Sequence, residues 1–167
     1  MPEIILDTCV FSNFALSHSL DILKRCYHQD IHVTSFVVGE ILKGFHQGYR
    51  ELGEINKALA EEWVTETKFQ GKEERALFVT LSVSLGAGEA SSIAIAKHRG
   101  FTFASDDLTA RREANLLGIT LTGTLGILLK AVQLKLITLK KGDGVLNRMK
   151  EEGFYTPVKS LKDIKIN

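Results

Sequence analysis

Carboxylates follow two short apolar runs of this chain. The run Ile4–Leu6 ends directly on Asp7, and the run "FTFAS", at 101–105, ends on the pair Asp106 and Asp107. Helix capping explains any one of these aspartates, because Asp is a favoured N-cap residue and a helical segment follows each of them. If both runs are parallel strands, however, their carboxyl ends lie at the edge of the sheet where ligands bind. The acids would then face a common site.

Two glutamates stand apart from the paired surface charges of the chain. Glu40 falls at the edge of the apolar face of the helical segment "FVVGEILKGF". Gly44 lies one turn further on, and we expect it to leave empty space beside the Glu40 carboxylate. Glu89 begins the helical segment "EASSIAIAKH" on the side of Ile93 and Ala96, which is the packed side. A carboxylate at that position also suits the helix dipole.

Acids that converge from separate elements raise one another's pKa. Hard divalent cations such as Mg²⁺ or Mn²⁺ relieve this repulsion and prefer carboxylate oxygens as ligands. A cation held in this way activates water and stabilises charge at a phosphodiester. The pattern therefore predicts metal-dependent phosphodiester hydrolysis. The catalytic candidates are Asp7, Glu40, Glu89 and one of the pair Asp106 and Asp107, and the candidate metal ligands are Asp7, Glu89 and that aspartate pair.

Small hydroxyl residues flank two of the acids. Thr8 follows Asp7, and Ser105 precedes Asp106. Such hydroxyls can orient carboxylates or waters around a metal ion. Local turn bonding by Ser and Thr explains them equally well.

Hydrophobic patterning predicts the elements that position these residues. Apolar runs predict buried strands at 4–6, 31–35, 101–105 and 119–123, and an alternating edge strand at 63–69. Helical segments separate them, at 10–26 with a break near 17–19, 36–52, 54–62, 72–84, 89–99, 108–118 and 125–136. This alternation predicts a three-layer α/β/α fold with a central parallel sheet. The domain is expected over 1–135, with a short C-terminal helical appendage at 136–167 packed on it.

Composition limits the class of protein. The chain has 167 residues, of which 44% are hydrophobic and 25% charged, so it can form one domain with a real core. A net charge of +1 neither indicates nor excludes nucleic acid. Cys9 and Cys26 lack the spacing of a zinc site, and we expect both to be reduced. No signal peptide and no membrane span is found, so a soluble, cytoplasmic protein is expected.

Four segments, in order, resemble the acidic motifs of the PIN domain. They are "ILDTCVFSNF", "VVGEI", "GEASSIAIA" and "FASDDLTARREANLLGITLTGTLGILLKA". The chain is most similar to VapC-type toxins and their uncharacterised relatives over roughly residues 1–135. The resemblance implies a flavodoxin-like fold, a homodimer, and a Mg²⁺- or Mn²⁺-dependent endoribonuclease, with an antitoxin protein as partner if it is a toxin.

Matched to the family motifs, Asp7, Glu40 and Glu89 take the first three acidic positions. Asp107 takes the fourth by its place two residues after Ser105, and Asp106 is the alternative for that role.

The chain departs from the family pattern at two places. Cys9 stands where Asn or Ser is usual, and a thiol hydrogen-bonds poorly. The third acid is Glu89, where toxins more often have Asp.

Cations for RNA phosphates are scattered along the chain. The candidates for RNA binding are Arg111 and Arg112, one turn from the last acids, and Lys43. Solvated surface is the simpler interpretation of each one.

Other functions remain open. A haloacid-dehalogenase-like phosphohydrolase has a second Asp two residues after its nucleophile, where this chain has Cys9. A receiver-like module requires a Lys after a late strand, where this chain has Gly123 and Thr124. A catalytically inactive PIN-like module that binds RNA or protein is the third alternative, and the intact acids argue against it.

Overall fold

The central element of the fold is an all-parallel sheet with helices on both faces. The computed structural model describes residues 2–165. In chain order, the strands are β1 (Ile4–Leu6), β2 (Ile31–Thr34), β3 (Val64–Thr67), β4 (Thr102–Ala104) and β5 (Leu121–Thr122). They lie side by side in the order β3-β2-β1-β4-β5, and each neighbouring pair is parallel. The predicted three-layer α/β/α fold is confirmed, as is the edge position of β3.

Helices connect the strands, as parallel pairing requires. In chain order, the α-helices are α1 (Thr8–Leu16), α2 (Leu20–Tyr27), α3 (Ser35–His46), α4 (Gly53–Ala60), α5 (Lys72–Leu81), α6 (Ala87–Arg99), α7 (Leu108–Leu116), α8 (Thr124–Gln133) and α9 (Leu139–Glu151). Short 3₁₀ turns cover Arg50–Leu52 and Leu161–Asp163. In residues 2–165, no helix combines the length and the apolar character needed to cross a membrane.

The central strand β1 separates two hydrophobic cores. Ile4 and Leu6 pack into one core, mainly with α1, α2, α8 and α9, while Ile5 points into the other, with α6 and α7. Each of the three side chains is fully buried. A strand covered on both faces needs apolar residues throughout, which explains why the run before Asp7 shows no alternation.

Glycines with positive φ follow the ends of α3 and α6. Gly100 ends α6 with φ of 72°, a conformation that glycine adopts without steric cost. The helix predicted over 36–52 is divided, because α3 ends at His46 and Gly48 turns the chain with φ of 107° before the 3₁₀ turn.

One expectation about packing was wrong. Gly44 does not leave space beside Glu40, because a Cβ at position 44 would lie 2.8 Å from Cδ1 of Leu52, which occupies that space. In α8, Ile127 and Leu128 are fully buried in the hydrophobic core.

The C-terminal helix α9 belongs to the same packed unit. Val145, Leu146 and Met149 on α9 are fully buried in the core that contains α1 and α8. The segment after 135 therefore contributes to the hydrophobic core on one side of the sheet.

Candidate active site

Asp7 lies at the carboxyl end of the central strand and is 1% exposed. Its Oδ1 accepts a hydrogen bond from the Val10 backbone N–H at 2.7 Å, so it caps α1. Its Oδ2 is buried and has no hydrogen-bond partner among residues 2–165. Burial raises the pKa of Asp7 to about 7, against the lowering effects of Ser105 and of the Val10 N–H. The Ser105 hydroxyl is near enough to lower this pKa, but it makes no hydrogen bond of good geometry to Oδ2.

Glu40 reaches from α3 to the start of α6. Its Oε1 accepts a hydrogen bond from the Gly88 backbone N–H at 3.1 Å, and the Thr8 hydroxyl donates to its Oε2. A Cβ at position 88 would lie 2.6 Å from Oε2 of Glu40. The close approach of this carboxylate to the helix therefore depends on glycine at position 88.

Glu89 lies in the first turn of α6, next to the glycine that contacts Glu40. The side chain is half-buried. Burial raises its pKa, and the negative charges of Asp107 and Glu40 raise it further. Glu89 thus belongs to the acidic cluster and is not an isolated surface residue.

The Asp106 carboxylate is hydrogen-bonded to residues of α1 and α8. Its Oδ1 accepts a hydrogen bond from the Thr124 backbone N–H at 2.9 Å, at the start of α8. Its Oδ2 accepts from the Thr124 hydroxyl and, at 3.2 Å, from Nδ2 of Asn13 on α1. Gly123 makes this arrangement possible, because a Cβ there would lie 2.6 Å from Oδ1 of Asp106.

Asp107 caps α7. Its Oδ1 accepts from the Ala110 backbone N–H at 2.8 Å, and its own N–H donates to the Ser105 hydroxyl at 3.1 Å. The residue is exposed. The capping interpretation is therefore correct for Asp7 and Asp107, which cap α1 and α7. Asp106 does not cap α7, the helix that follows it, and instead accepts a hydrogen bond at the start of α8.

The predicted RNA-binding cations occupy different environments. Nη1 of Arg111 donates to the backbone oxygens of Ser105 and Thr122, at 2.7 and 2.6 Å, and so joins the ends of β4 and β5. Arg112 and Lys43 are exposed. Arg111 thus holds the loop that carries the two aspartates, whereas the other two cations lie at the surface.

Cys9 lies among the acids and carries no charge at neutral pH. Burial raises the pKa of its thiol to about 11, with further contributions from Asp7, Glu89, Asp106 and Asp107. A protonated thiol is a poor metal ligand. Cys9, the residue that departs from the family pattern, is therefore a neutral thiol in the metal-free protein.

The carboxylates lie at one edge of the sheet, close enough for their charges to affect one another. Beyond the effect of burial, Asp106 and Glu89 raise the pKa of Asp7. Within residues 2–165, however, no three His, Cys, Asp or Glu side chains are gathered as closely as the ligands of a metal ion. Hydrogen bonds direct Glu40 and Asp106 toward helix N-termini instead.

This donor set fits a hard divalent cation. It consists of carboxylate oxygens, the ligands that Mg²⁺ and Mn²⁺ prefer. The buried Oδ2 of Asp7 is a polar atom without a partner in the described chain, which is rare in native structures. The raised pKa values of Asp7 and Glu89 show that positive charge between them would be stabilising.

Sequence reasoning missed three contacts of the cluster. Asn13 and Thr124 hold Asp106, and Gly88 receives Glu40. A signal for Thr124 exists, since Gly-Thr stands at the start of a predicted helix after a strand. Asn13 had no such signal, because it lies 93 positions from Asp106 in the chain.

A comparison with family models decides the classification. The model of DUF3368, described as a PIN domain, matches residues 3–166. The chain belongs to the PIN-domain family. No curated protein and no solved structure matches the chain significantly.

PIN domains are generally nucleases that act on RNA, so membership supports a nuclease fold for this chain. The match runs through α9 and is not confined to the four acidic motifs. In this PIN domain, the acids that carry the family resemblance lie at the carboxyl ends of β1 and β4 and on the two helices beside them.

Proposed function

We propose that this PIN domain is an endoribonuclease that hydrolyses RNA phosphodiesters with Mg²⁺ or Mn²⁺. The observation that carries the proposal is the buried Oδ2 of Asp7, which has no hydrogen-bond partner among residues 2–165 and feels the negative charges of Asp106 and Glu89. A structural N-cap needs one oxygen, and Oδ1 already fills that role. The second oxygen has a use if it binds a cation.

Asp7, Glu89 and Asp106 would hold the cation, with Asp107 at the rim. When bound, a cation of this kind lowers the pKa of water and stabilises the developing charge on a phosphodiester. Asp106 is favoured over Asp107 beside Asp7, since it is Asp106 whose charge raises the Asp7 pKa. The charge of Asp107 instead raises the pKa of Glu89.

The chain's other residues orient this cluster. The Thr8 hydroxyl donates to the Glu40 carboxylate, and the Ser105 hydroxyl accepts from the backbone N–H of Asp107, so both hydroxyls support acidic residues of the proposed site. Glu40, exposed and near Glu89, accepts a proton from an attacking water or orients that water. Arg112 and Lys43 contact RNA phosphates, while Arg111 keeps the aspartate loop in place.

The proposed assembly is a cytoplasmic homodimer. A toxin role would add an antitoxin protein that covers the acidic site, and a gene for such a protein beside this one would support that role. Light scattering that gives a monomer mass at micromolar concentration would contradict the homodimer.

The experiment is cleavage of an end-labelled single-stranded RNA by the purified protein, with Mn²⁺, with Mg²⁺ and with chelator. We expect cleavage with a divalent cation and none with chelator. Asp7→Asn should reduce the rate more than about a hundredfold, because even residues behind metal ligands cost 10- to 100-fold. Asp21→Asn is the matched control, since Asp21 is an exposed acid in the first turn of α2.

Two results would overturn this function. Cleavage that is unchanged by chelator would show that the reaction needs no metal ion. Full activity of Asp7→Asn would show that Asp7 is not part of the active site. RNA retained by the protein without cleavage, under all conditions, would favour the inactive RNA-binding module.

A further inference from the structure

A pocket lies beside the acidic cluster, at the carboxyl ends of β2 and β3. Its volume is about 390 Å³, within the range of roughly 300–1,000 Å³ that is typical of small-ligand sites. Thr34 and Thr67, the last residues of β2 and β3, lie opposite one another in the sheet register and line it. The pocket therefore opens at the same edge of the sheet as Asp7 and Asp106.

Helix α3 connects the pocket to the acids. Phe36 lines the pocket, and Glu40 belongs to the acidic cluster. The two residues are four positions apart on one helix, so they lie on the same face, about 5–6 Å apart at Cβ. An extended ligand bound along α3 at Glu40 would therefore also contact Phe36.

Aromatic rings form one wall of the pocket. Phe36 is 39% exposed, although its ring packs on Phe78 with 4.9 Å between centroids and on Phe69 at 6.2 Å. Phe69 and Phe78 are themselves 5.1 Å apart. The three rings support one another, so Phe36 presents a fixed aromatic surface to the pocket.

Cations also line the pocket. Lys68 and Arg75 both border the pocket and are exposed. Nη1 of Arg75 donates to the Gly71 backbone oxygen at 3.3 Å, which holds the guanidinium near the pocket. An aromatic surface with adjacent positive charge is the combination by which proteins bind unpaired bases and their phosphates.

We propose that this pocket binds one unpaired base of a single-stranded RNA, stacked on Phe36, with its phosphate near Lys68 and Arg75. The inference rests on the proposed function, because it places the base next to the phosphodiester held at the acidic cluster. It adds a subsite to that function, namely a pocket for one unstacked base beside the cleavage site.

The test measures RNA binding in the Asp7→Asn background, where cleavage does not interfere. The probes are a short fluorescein-labelled single-stranded RNA and the same RNA with abasic residues. Phe36→Ala and Phe36→Leu should each weaken binding of the intact RNA about tenfold, because they remove one stacked base. Both variants should bind the abasic RNA as the background does. Phe36→Leu retains an apolar side chain against Phe78 and so keeps the test valid if the alanine variant unfolds.

The cations and a distant aromatic residue provide the controls. Lys68→Gln and Arg75→Gln should weaken binding of both RNAs alike and flatten its salt dependence. Tyr155→Ala should leave binding of both RNAs unchanged, since Tyr155 is 88% exposed outside the pocket.

The outcomes separate this proposal from the proposed function. If wild type cleaves RNA but Phe36→Leu binds intact RNA as tightly as its background, the base pocket is wrong and the nuclease stands. If Phe36→Leu changes the mass in light scattering and not RNA affinity, the aromatic surface is a contact between copies, and the proposal is also overturned. If wild type does not cleave but the Phe36 variants lose affinity for intact RNA alone, the pocket stands and the nuclease fails.

Discussion

Glu40 and Gly88 meet across two helices at a distance that leaves no room for a Cβ at position 88 unless the Glu40 side chain moves. The Gly88 N–H donates to Oε1 of Glu40 at 3.1 Å, and a Cβ at position 88 would lie 2.6 Å from Oε2. The side chain of Glu40 is thereby fixed beside Glu89, which follows in the sequence. This contact determines where the second acid of the cluster lies.

Gly88→Ala should displace Glu40 and reduce RNA cleavage by roughly ten- to a hundredfold, as loss of an orienting contact does. Stability should change little, because alanine favours the helix by about 1 kcal/mol and offsets the displaced contact. Cleavage rates and urea unfolding measure the two effects. Gly144→Ala is the matched control, since it lies in α9 with open space around it. It should stabilise by roughly 0.5–1 kcal/mol and leave cleavage unchanged; equal activity of both variants would contradict the role of Gly88.

Asp7→Asn should change how stability depends on pH. Burial raises the pKa of Asp7 from 3.8 to about 7, so the folded protein retains a proton that the unfolded chain has released. With chelator present, the free energy of unfolding should fall as the pH rises from about 4 to about 7, at up to about 1.4 kcal/mol per pH unit. Urea unfolding at pH 5 and pH 8 tests this. The fall should be smaller in Asp7→Asn, and an identical fall in both proteins would show that Asp7 is not its source.

Glu89→Gln should separate the charge repulsion from the metal effect. Without metal, the variant should melt at the wild-type temperature or higher, because a group with a raised pKa has been neutralised. The stabilisation that Mn²⁺ gives wild type, about 2.7 kcal/mol at a hundredfold excess over the dissociation constant, should shrink. Thermal melts with chelator and with Mn²⁺ measure both.

Glu73→Gln is the control for that experiment. Glu73 is an exposed acid in the first turn of α5. Loss of the Glu73 charge should destabilise the protein slightly, because the charge interacts favourably with the helix dipole. The rise in melting temperature produced by Mn²⁺ should be unchanged. Should Glu89→Gln behave like Glu73→Gln, Glu89 lies outside the metal site.

Asp106→Asn and Asp107→Asn should differ. Asp106 accepts from the Thr124 N–H, the Thr124 hydroxyl and Asn13, so an amide there places a donor against donors. We expect a loss of about 1–3 kcal/mol in stability and more than about a hundredfold in cleavage. Asn caps a helix as well as Asp does, so Asp107→Asn should keep its stability and part of its activity. The reverse ranking in activity would assign the fourth acidic position to Asp107.

The positions of the acids could be predicted because they depend on local rules. An apolar run such as Ile4–Leu6 specifies a buried strand, and the residue after a parallel strand lies at the edge where sites form. Helix ends at Gly100 and Gly118 follow from the backbone conformations of glycine, with φ of 72° at both. These features need no knowledge of distant contacts.

The partners of the acids could not be predicted, because they come from distant parts of the chain. Asn13 and Asp106 are 93 positions apart, and Glu40 and Gly88 are 48 apart. The sequence shows that Gly44 and Gly88 are both glycines near acids. Only packing shows that the first makes room for Leu52 and the second for Glu40.

Four of the five acids accept a hydrogen bond from the first backbone N–H groups of a helix. Asp7 does so at α1, Glu40 at α6, Asp106 at α8 and Asp107 at α7. The partial positive charge of each helix N-terminus offsets part of the repulsion among the carboxylates. The fold at this edge therefore supplies part of its own counter-charge. If the proposed cation binds here, folding and metal binding are separate events, and the chain should keep its structure in a chelating buffer.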